Sequence, residues 1–535
     1  MASLGLDVLE EQLGKTQAYG LLTVVLGTFL YSIKRAFANH VLEHFLEEQP
    51  CPGRTKGPFS WARATFRSVM GTPQMVAEGY EKYAKAGLPF IIPSIRKGAY
   101  LVIPPAHFKA VLSKPESVVE AHAPQFENVS AAYTMRDPDI YPSNYDVDIV
   151  KKHISKKFGS VARELAEEIA LAFDEHWGLS SEWKDVKAWL SLQDIAARAV
   201  NRVSVGLPLC RNEKLLKHAI SYSMSVPEAG IGINILPSYL QPLLGPLIAK
   251  KGTNHCEAAI KIYLPLVEER LNQFHSDQKA AGGWMPPNDM LQWLIEESAT
   301  NSNPEQMQPR RIAHRLVMLN FNAVPPSGLT LSNALFDFYS ATPDRGFVES
   351  LREEADRTLK EEPEGYWTKN AVSKLSLMDS TIRESMRHSD FGSTAFPRRV
   401  AAAAGIDIGG IRVPRGTHME IPMHAIHMDS DLYSDPALFE PFRFAPKEAL
   451  PPDAGPHAGE KPQPLITIEE TFLGFGYGRS GCPGRFFASH LLKVMFAYIV
   501  QNYDIEYMET RPKMMELMEF RFPNEKSTVR VKRRQ

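Results

Sequence analysis

The chain has little cysteine, no charge excess and no internal repeat. Only four cysteines stand among its 535 residues, and no two of them form a Cys-x-x-Cys pair. Their even number leaves two disulfides open as an interpretation. The net charge is −2, so no basic surplus indicates a nucleic acid as a partner. The lack of a repeat excludes a solenoid or an array.

One uncharged apolar run stands out near the amino terminus. Residues 16–33 carry no charged side chain, and about 18 residues is near the lower limit for spanning a bilayer. Lys34 and Arg35 follow directly, whereas acidic residues precede the run, so the positive-inside rule places the body of the protein in the cytosol. A cleaved signal peptide and a buried helix are the alternatives. We predict a membrane anchor with its flank over residues 1–48 and a catalytic domain over residues 49–535.

The rest of the chain is dominated by helical patterns. Its 535 residues, 44% of them apolar and 40 of them proline, suit a large globular enzyme with long loops. We predict a mainly α fold of the α+β class. The predicted helices cover residues 74–85, 150–177, 210–275, 311–340, 369–389 and 486–500, and the third is broken at Pro227, Pro237, Pro242 and Pro246. Short strands are predicted near residues 90–92, 100–103 and 398–413.

A glycine-rich loop near the carboxyl end contains one cysteine directly before a helical apolar run. It reads Phe475-Gly-Tyr-Gly-Arg-Ser-Gly-Cys482-Pro-Gly-Arg-Phe-Phe-Ala488. Glycines such as Gly476 and Gly478 let the backbone turn tightly beside a flat ligand. Amides of the turn and the positive end of the following helix favour a thiolate, which could ligate haem iron. A loop cysteine without a ligand is the alternative.

This loop resembles the haem-binding signature of the cytochrome P-450 superfamily, Phe-x-x-Gly-x-(basic)-x-Cys-x-Gly. Phe475, Gly478, Cys482 and Gly484 match it, and the residues that follow resemble the fungal branch. The resemblance implies haem b with Cys482 as the axial ligand and one ligand cysteine in a reducing compartment. The chain departs from the signature at one position. Ser480 replaces the basic residue that commonly pairs with a haem propionate, and Arg479 is the nearest substitute.

Two motifs upstream occur in the order that the family has. Glu384-Ser-Met-Arg387 lies on a predicted helix, where the i, i+3 spacing puts both side chains on one face. Pro441-Phe-Arg443-Phe follows before the cysteine loop. The resemblance implies that Glu384, Arg387 and Arg443 form a buried ion triad, for which bidentate arginine is suited. Two surface salt bridges are the alternative, and Glu354-Ala-Asp-Arg357 has the same form without the context.

The resemblance also implies partners for the haem propionates. The family has an arginine near Phe396-Pro-Arg398-Arg399, and we favour Arg399. On the amino-terminal side, Lys151 opens a predicted helix where the family usually supplies a second partner, together with the two basic residues that follow it. A solvated basic face is the alternative there.

The predicted central helix departs from the family where proton transfer is expected. Residues 319–330 read Leu-Asn-Phe-Asn-Ala-Val-Pro-Pro-Ser-Gly-Leu-Thr. In the family an acid and an alcohol in this place relay protons to oxygen at the haem. Here Pro325 and Pro326 occupy the pair, and each interior proline costs a helix roughly 3 kcal/mol or more, so a kink is expected. Ser327 is the hydroxyl left in place, with Thr330 about one turn further along.

The resemblance implies a monooxygenase in the endoplasmic reticulum membrane, single-pass, with a cytosolic catalytic domain. Electrons from NADPH would arrive through an NADPH–cytochrome reductase. The substrate would be a lipophilic secondary-metabolite intermediate, terpenoid-like or polyketide-like. The proline pair leaves a second hypothesis open, in which haem iron catalyses an isomerisation, a cyclisation or a dehydration. A non-catalytic scaffold at the membrane is the third.

Overall fold

The computed structural model describes residues 40–135, 137, 145–280, 283–341 and 346–535. The predicted anchor, residues 16–33, lies outside these ranges. Within them, no helix combines the length and the apolar character needed to cross a membrane. All four cysteines carry free thiols, so neither of the two conceivable disulfides forms.

Helices make up most of the described chain, which confirms the mainly α fold. A π-helical turn, Val150–Ile154, precedes the short helix α7. The helices in chain order are α1 His40–Glu48, α2 Ser60–Lys82, α3 Phe108–Leu112, α4 His122–Asn128, α5 Ala131–Thr134, α6 Tyr145–Ile149, α7 Ser155–Lys157, α8 Ala162–Trp177, α9 Ala188–Val205, α10 Glu213–Ile235, α11 Gln241–Ala280, α12 Met290–Ala299, α13 Pro309–Phe338, α14 Phe347–Lys360, α15 Lys369–Ser373, α16 Ser376–His388, α17 Met423–His427 and α18 Arg485–Asn502.

The strands are short and form small sheets. In chain order they are β1 Phe90–Ser94, β2 Gly98–Val102, β3 Val119–Glu120, β4 Lys184–Lys187, β5 Ala395–Val400, β6 Ile406–Ile408, β7 Ile411–Val413, β8 His418–Ile421, β9 Tyr503–Ile505, β10 Met515–Leu517, β11 Phe520–Phe522 and β12 Thr528–Arg533. The largest sheet has the order β1-β2-β8-β5-β3. Its β1–β2 pair is antiparallel and its β2–β8 pair is parallel. A three-stranded sheet has the order β4-β12-β9, and β6–β7 and β10–β11 form separate pairs.

The chain divides into two compact units. Among the described residues, the first comprises 40–134, 228–249 and 396–421, and it contains the five-stranded sheet. Strand β1 is fully buried and α2 packs against it. Gly79 of α2 allows this close approach, because a Cβ atom at that position would collide with the ring of Phe90.

The second unit comprises the described residues within 135–227, 250–395 and 422–535 and has a helical core. Helix α9 packs against α8 and α13, and α13 also contacts α16 and α18. A buried polar cluster holds α9 to α13: the Asn201 amide donates to Asn320 Oδ1 at 2.6 Å, and the Asn320 amide donates to the Tyr263 hydroxyl at 3.1 Å. Because all three side chains are buried and hydrogen-bonded, they fix the register of the central helix.

Several predicted element boundaries are wrong, mostly around proline and glycine. Helix α10 passes through Pro227, and α11 begins just before Pro242, where the missing N–H costs little. The break between them falls at residues 236–240, which include Pro237. The predicted helix 150–177 is regular only from Ala162, since a 3-10 turn containing Gly159 interrupts it.

Candidate haem-binding site

The cysteine loop is a tight turn held by its own backbone. Gly476 and Gly478 adopt positive φ angles of 87° and 59°, which glycine accepts without strain. The Cys482 N–H donates to the Phe475 carbonyl at 2.7 Å, and the Gly476 N–H donates to the Leu473 carbonyl at 2.9 Å. These bonds fold the loop back on itself and place Cys482 three residues before the start of α18.

The Cys482 thiol is half-buried and faces backbone donors. Burial raises the pKa of the Cys482 thiol, whereas hydrogen bonds from the Gly484 and Arg485 amides and the charge of Arg485 oppose the increase. The Arg485 guanidinium also donates to the Cys482 carbonyl at 3.0 Å. The thiol therefore stays protonated until a metal cation binds the sulfur and displaces the proton. The amides then stabilise the thiolate.

The structure brings Glu384, Arg387 and Arg443 together in one buried cluster. Arg387 donates two bonds of 2.7 Å to the two carboxylate oxygens of Glu384, and Arg443 Nε donates to Glu384 Oε1 at 3.1 Å. All three side chains are fully buried. The alternative of two surface salt bridges is therefore wrong. One carboxylate between two guanidinium groups, with the remaining donors satisfied, is the arrangement in which buried charge is tolerated.

The cluster ties the segment before the cysteine loop to α16. Arg387 donates to the carbonyls of His427 at 2.6 Å and Pro436 at 2.9 Å. Arg443 donates to the carbonyl of Ser434 at 2.8 Å and contacts the Glu460 carboxylate. The guanidinium forks thus fix irregular backbone over residues 427–443, which supports the loop that follows.

A second anchor of the loop, not foreseen in the sequence, is the ring of His427. Its Nδ1 bonds to Asp390 at 2.9 Å, and its Nε2 accepts the Leu473 N–H at 3.0 Å. This pairing fixes a neutral ring with the proton on Nδ1. Asp390 is further held by Arg521 at 2.6 Å and by His424 at 3.1 Å. Burial lowers the pKa of His427, although Asp390 opposes the shift.

Helix α13 continues through Pro325 and Pro326 without interruption. Neither proline has an N–H, so the carbonyls four residues earlier receive no helix bond from them. Ser327 is 5% exposed, and its hydroxyl donates to the Ala323 carbonyl at 2.7 Å. The hydroxyl that remains near the expected relay is therefore bound to the helix itself. Thr330, also buried, lies one turn further along.

Comparison with known proteins agrees with this geometry. The family model described as Cytochrome P450 matches residues 101–532. The chain belongs to the cytochrome P450 family. It is similar to the cytochrome P450 monooxygenase gloP of Glarea lozoyensis, with 32% identity over 528 residues that cover 95% of both chains. It is also similar to the monooxygenases htyF of Aspergillus rugulosus, 32% identical over 91% of this chain and 72% of that protein, and okaG of Penicillium ochrochloron, 30% identical over 91% and 94%.

The residues of this cytochrome P450 fit the haem that its family implies. A thiolate from Cys482 would accept hydrogen bonds from the Gly484 and Arg485 amides. These bonds stabilise the negative charge on the sulfur that would bind the iron. A Cβ atom added at Gly478 would meet nothing within 4 Å, so no protein group covers the loop at this position. The enzyme is an oxidoreductase of the monooxygenase type with a haem-thiolate cofactor.

The predicted propionate partners occupy different environments. Arg399 forms ion pairs with Glu120 at 2.6 Å and with Glu127, so its charge is already compensated within its own unit. Its neighbour Arg398 is 2% exposed, and burial lowers the pKa of that guanidinium to about 10. A buried guanidinium of this kind gains from a nearby anion. Glu116 opposes this decrease, so Arg398 also has a carboxylate acting on it, and the choice of Arg399 as the propionate partner stays a prediction.

Two further predicted cofactor-binding residues are exposed. Lys151 lies at the solvent-facing side of the π-helical turn, and Arg479 is exposed in the cysteine loop. The two residues after Lys151 bind one carboxylate: Lys152 contacts Glu297 at 2.7 Å, and His153 contacts it at 2.9 Å. The basic run therefore holds the start of this segment against α12, which contains Glu297.

Proposed function

We propose that this protein oxidises a lipophilic secondary-metabolite intermediate, terpenoid-like or polyketide-like, with O2 and with NADPH electrons delivered by a flavin-containing reductase. The observation that carries the haem chemistry is the cysteine loop, with amides aimed at Cys482 Sγ and the Glu384 cluster supporting it. The fungal origin of the similar monooxygenases supports the substrate class.

The haem supplies oxygen activation when it is bound. The chain's own residues position it and tune it. Cys482 would provide the axial thiolate, and the Gly484 amide would moderate its charge. Arg399, or its buried neighbour Arg398, would compensate a propionate. His427 and Arg387 keep the loop and the backbone before it in place, so that the sulfur stays in one position.

We further propose that the protein works at the endoplasmic reticulum membrane, anchored once through residues 16–33, with the catalytic domain in the cytosol. Exposed apolar side chains in the first unit support a membrane contact. Leu243 and Leu247 are 68% and 65% exposed at i, i+4 spacing on α11, and Tyr239 just before it is 52% exposed. The full chain should float with vesicles of neutral phospholipid in a density gradient, and sedimentation without the vesicles would contradict the membrane proposal.

The monooxygenase proposal is tested on the purified holoprotein. The reduced protein with carbon monoxide should absorb near about 450 nm, as a thiolate-ligated haem does. Cys482→Ala should abolish this band. Conversion of candidate terpenoid and polyketide intermediates should require O2, NADPH and reductase together. A missing band would instead support a scaffold without haem chemistry.

A non-oxygenating reaction is the second candidate function. The proline pair motivates it, because proline cannot relay protons and the Ser327 hydroxyl is bound to Ala323. An isomerisation, cyclisation or dehydration at haem iron would need neither O2 nor NADPH. Conversion of the same intermediates under argon without NADPH would establish it, and strict dependence on both would exclude it.

A further inference from the structure

A small cavity of about 20 Å³, room for about one water molecule, lies beside the central helix in the second unit. Helix α13, the end of α16 and the loop before Phe475 all contribute to its wall. The polar wall residues are Thr330, Asn333, Ser385, Ser389 and Asp390, and Gly474 closes the side towards the cysteine loop. A space of this size with several polar groups is suited to hold water.

The cavity lies on a polar stripe of α13. Pro326, Thr330, Asn333 and Asp337 are spaced i, i+4, i+7 and i+11, so they share one face of the helix. The Asn333 amide donates to the Ser389 carbonyl at 2.8 Å, which holds this face against the end of α16. The stripe therefore leads from the proline pair along the cavity.

The far end of the stripe is anchored by Asp337. This buried carboxylate accepts hydrogen bonds from the hydroxyls of Ser385 at 2.6 Å and Ser389 at 2.8 Å. Both serine oxygens keep lone pairs that can accept a further hydrogen bond. The cavity wall thus offers acceptors to a water molecule, with the serine protons already committed elsewhere.

Thr330 is the residue of this stripe that lacks a partner. It is 4% exposed, and no protein group within the described part of the chain hydrogen-bonds its hydroxyl. Other hydroxyls of α13 are bound to the helix: Ser327 donates to Ala323, and Ser332 donates to Gly328 at 2.6 Å. A water in the cavity would give this hydroxyl the hydrogen bond that the described protein groups do not supply.

The cavity also borders the Asp390 carboxylate. Asp390 lines it and accepts hydrogen bonds from Arg521 at 2.6 Å and from His427 Nδ1 at 2.9 Å. A cavity water that donates one hydrogen bond to Asp390 can donate its second to Thr330 Oγ1.

We propose that this cavity binds ordered water and that Thr330, with this water, passes protons towards the haem pocket in place of the acid–alcohol pair that Pro325 and Pro326 displace. The water gives a proton to Thr330 Oγ1 as the hydroxyl releases its own on the other side, so the hydroxyl is restored and no charge remains on it. The water regains its proton from solvent. The relay rests on the proposed monooxygenase function.

The water site is tested by the crystal structure of the holoenzyme and of Thr330→Val, which keeps the side-chain shape and removes the hydroxyl. The wild type should show a water within about 3 Å of Thr330 Oγ1, and the variant should lose it. A dry cavity in the wild type, or one filled by the edge of the haem, overturns the proposal. This measurement is independent of catalysis.

The relay is tested by the fate of O2 in the holoenzyme with reductase and NADPH, without added substrate. One NADPH is consumed per O2 when hydrogen peroxide forms, and two when water forms. Thr330→Val should raise the ratio of peroxide to water by about tenfold, since a positioned proton donor contributes at least that much. Thr330→Ser should restore the ratio, which a merely structural loss would not allow.

Ser332→Ala is the matched control, because its hydroxyl lies on the same helix, is bound to Gly328 and is outside the cavity wall. It should leave the ratio unchanged. An unchanged ratio in Thr330→Val, or the whole effect in Ser327→Ala instead, overturns the relay alone. A wild type that consumes no NADPH overturns the relay and the proposed function together, and the crystal structure then still reports on the water site.

Discussion

Substitutions of His427 can remove, one at a time, the two hydrogen bonds through which its ring supports the cysteine loop. Its two nitrogens bond to Asp390 and to the Leu473 N–H. In His427→Asn the side-chain amide reaches the place of Nδ1 and keeps the bond to Asp390. In His427→Gln the longer side chain reaches the place of Nε2 and keeps an acceptor for Leu473. His427→Phe keeps neither bond.

The expected losses in the free energy of unfolding follow from the burial of the Leu473 N–H and from the charge of Asp390. An unsatisfied Leu473 N–H costs about 1–3 kcal/mol, so His427→Asn should lower the free energy of unfolding by that amount. A hydrogen bond to a charged group contributes about 1.5–3 kcal/mol, which sets the loss for His427→Gln. Asp390 keeps Arg521 and His424 as partners, so His427→Phe should lose about 3–5 kcal/mol rather than unfold outright.

The assay combines urea unfolding with the carbon monoxide band of the reduced holoprotein. His427→Asn and His427→Phe should lose part of the band, because both free the loop at Leu473, whereas His427→Gln should keep it at similar stability loss. His457→Phe is the control, since its ring bonds to the exposed side chain of Asp435. Equal band loss in the Asn and Gln variants, or a full band in His427→Phe, would refute the assignment.

Two further predictions concern carboxylates on neighbouring helices. Arg387→Lys should lower the free energy of unfolding by about 3 kcal/mol in a urea titration, because lysine cannot make the two-bond contact with Glu384. The control Arg357→Lys, at an exposed position, should change the free energy by less than about 0.5 kcal/mol. Equal effects of the two substitutions would contradict this prediction. Burial raises the pKa of Glu354 to about 7, so its protonated form favours the fold below about pH 4.5 and that stability is lost as the pH rises through 7. Relative to Glu354→Gln, the wild type should therefore lose up to about 3 kcal/mol between pH 5 and 8, and parallel pH profiles of the two proteins would disprove it.

The sequence was most informative where short motifs stand in a fixed order. Cys482 and its glycines predicted a tight loop before a helix, and the structure has that loop. The order of Glu384, Arg387 and Arg443 predicted one cluster, and the three side chains meet. Such motifs are legible because most of their geometry comes from a few consecutive residues.

Contacts between distant segments were not predicted. His427 and Asp390 lie 37 residues apart, and His427 bonds to a backbone amide that no residue type marks. The only sequence signal was a pair of histidines at i, i+3 on a short helix, which is common on helix surfaces. The pairing of β3 with β5 brings Glu120 to Arg399, which the sequence did not reveal.

Proline was the least reliable predictor of where helices end, because tertiary packing that the local sequence does not reveal offsets the helix bonds that proline removes. The central helix continues through Pro325 and Pro326 between α9 and α16. Burial of a long apolar face exceeds the few kcal/mol that two missing bonds remove. The prolines remove two side chains that could have carried polar groups on that helix. Among the described residues of α13, the unpaired hydroxyl nearest to the proline pair is that of Thr330, which lines the cavity.

Two copies of one motif show what decides function in this fold. Glu354-Ala-Asp-Arg357 and Glu384-Ser-Met-Arg387 have the same form, but Glu354 accepts the backbone N–H groups of Leu377 at 2.7 Å and Met378 at 3.0 Å. These amides open α16, the helix that carries Glu384. Glu354 therefore caps the helix that carries Glu384. Glu384, by contrast, binds the guanidinium group of Arg387. A carboxylate's role follows from which donors its helix brings within reach, and the spacing to the next arginine does not determine it.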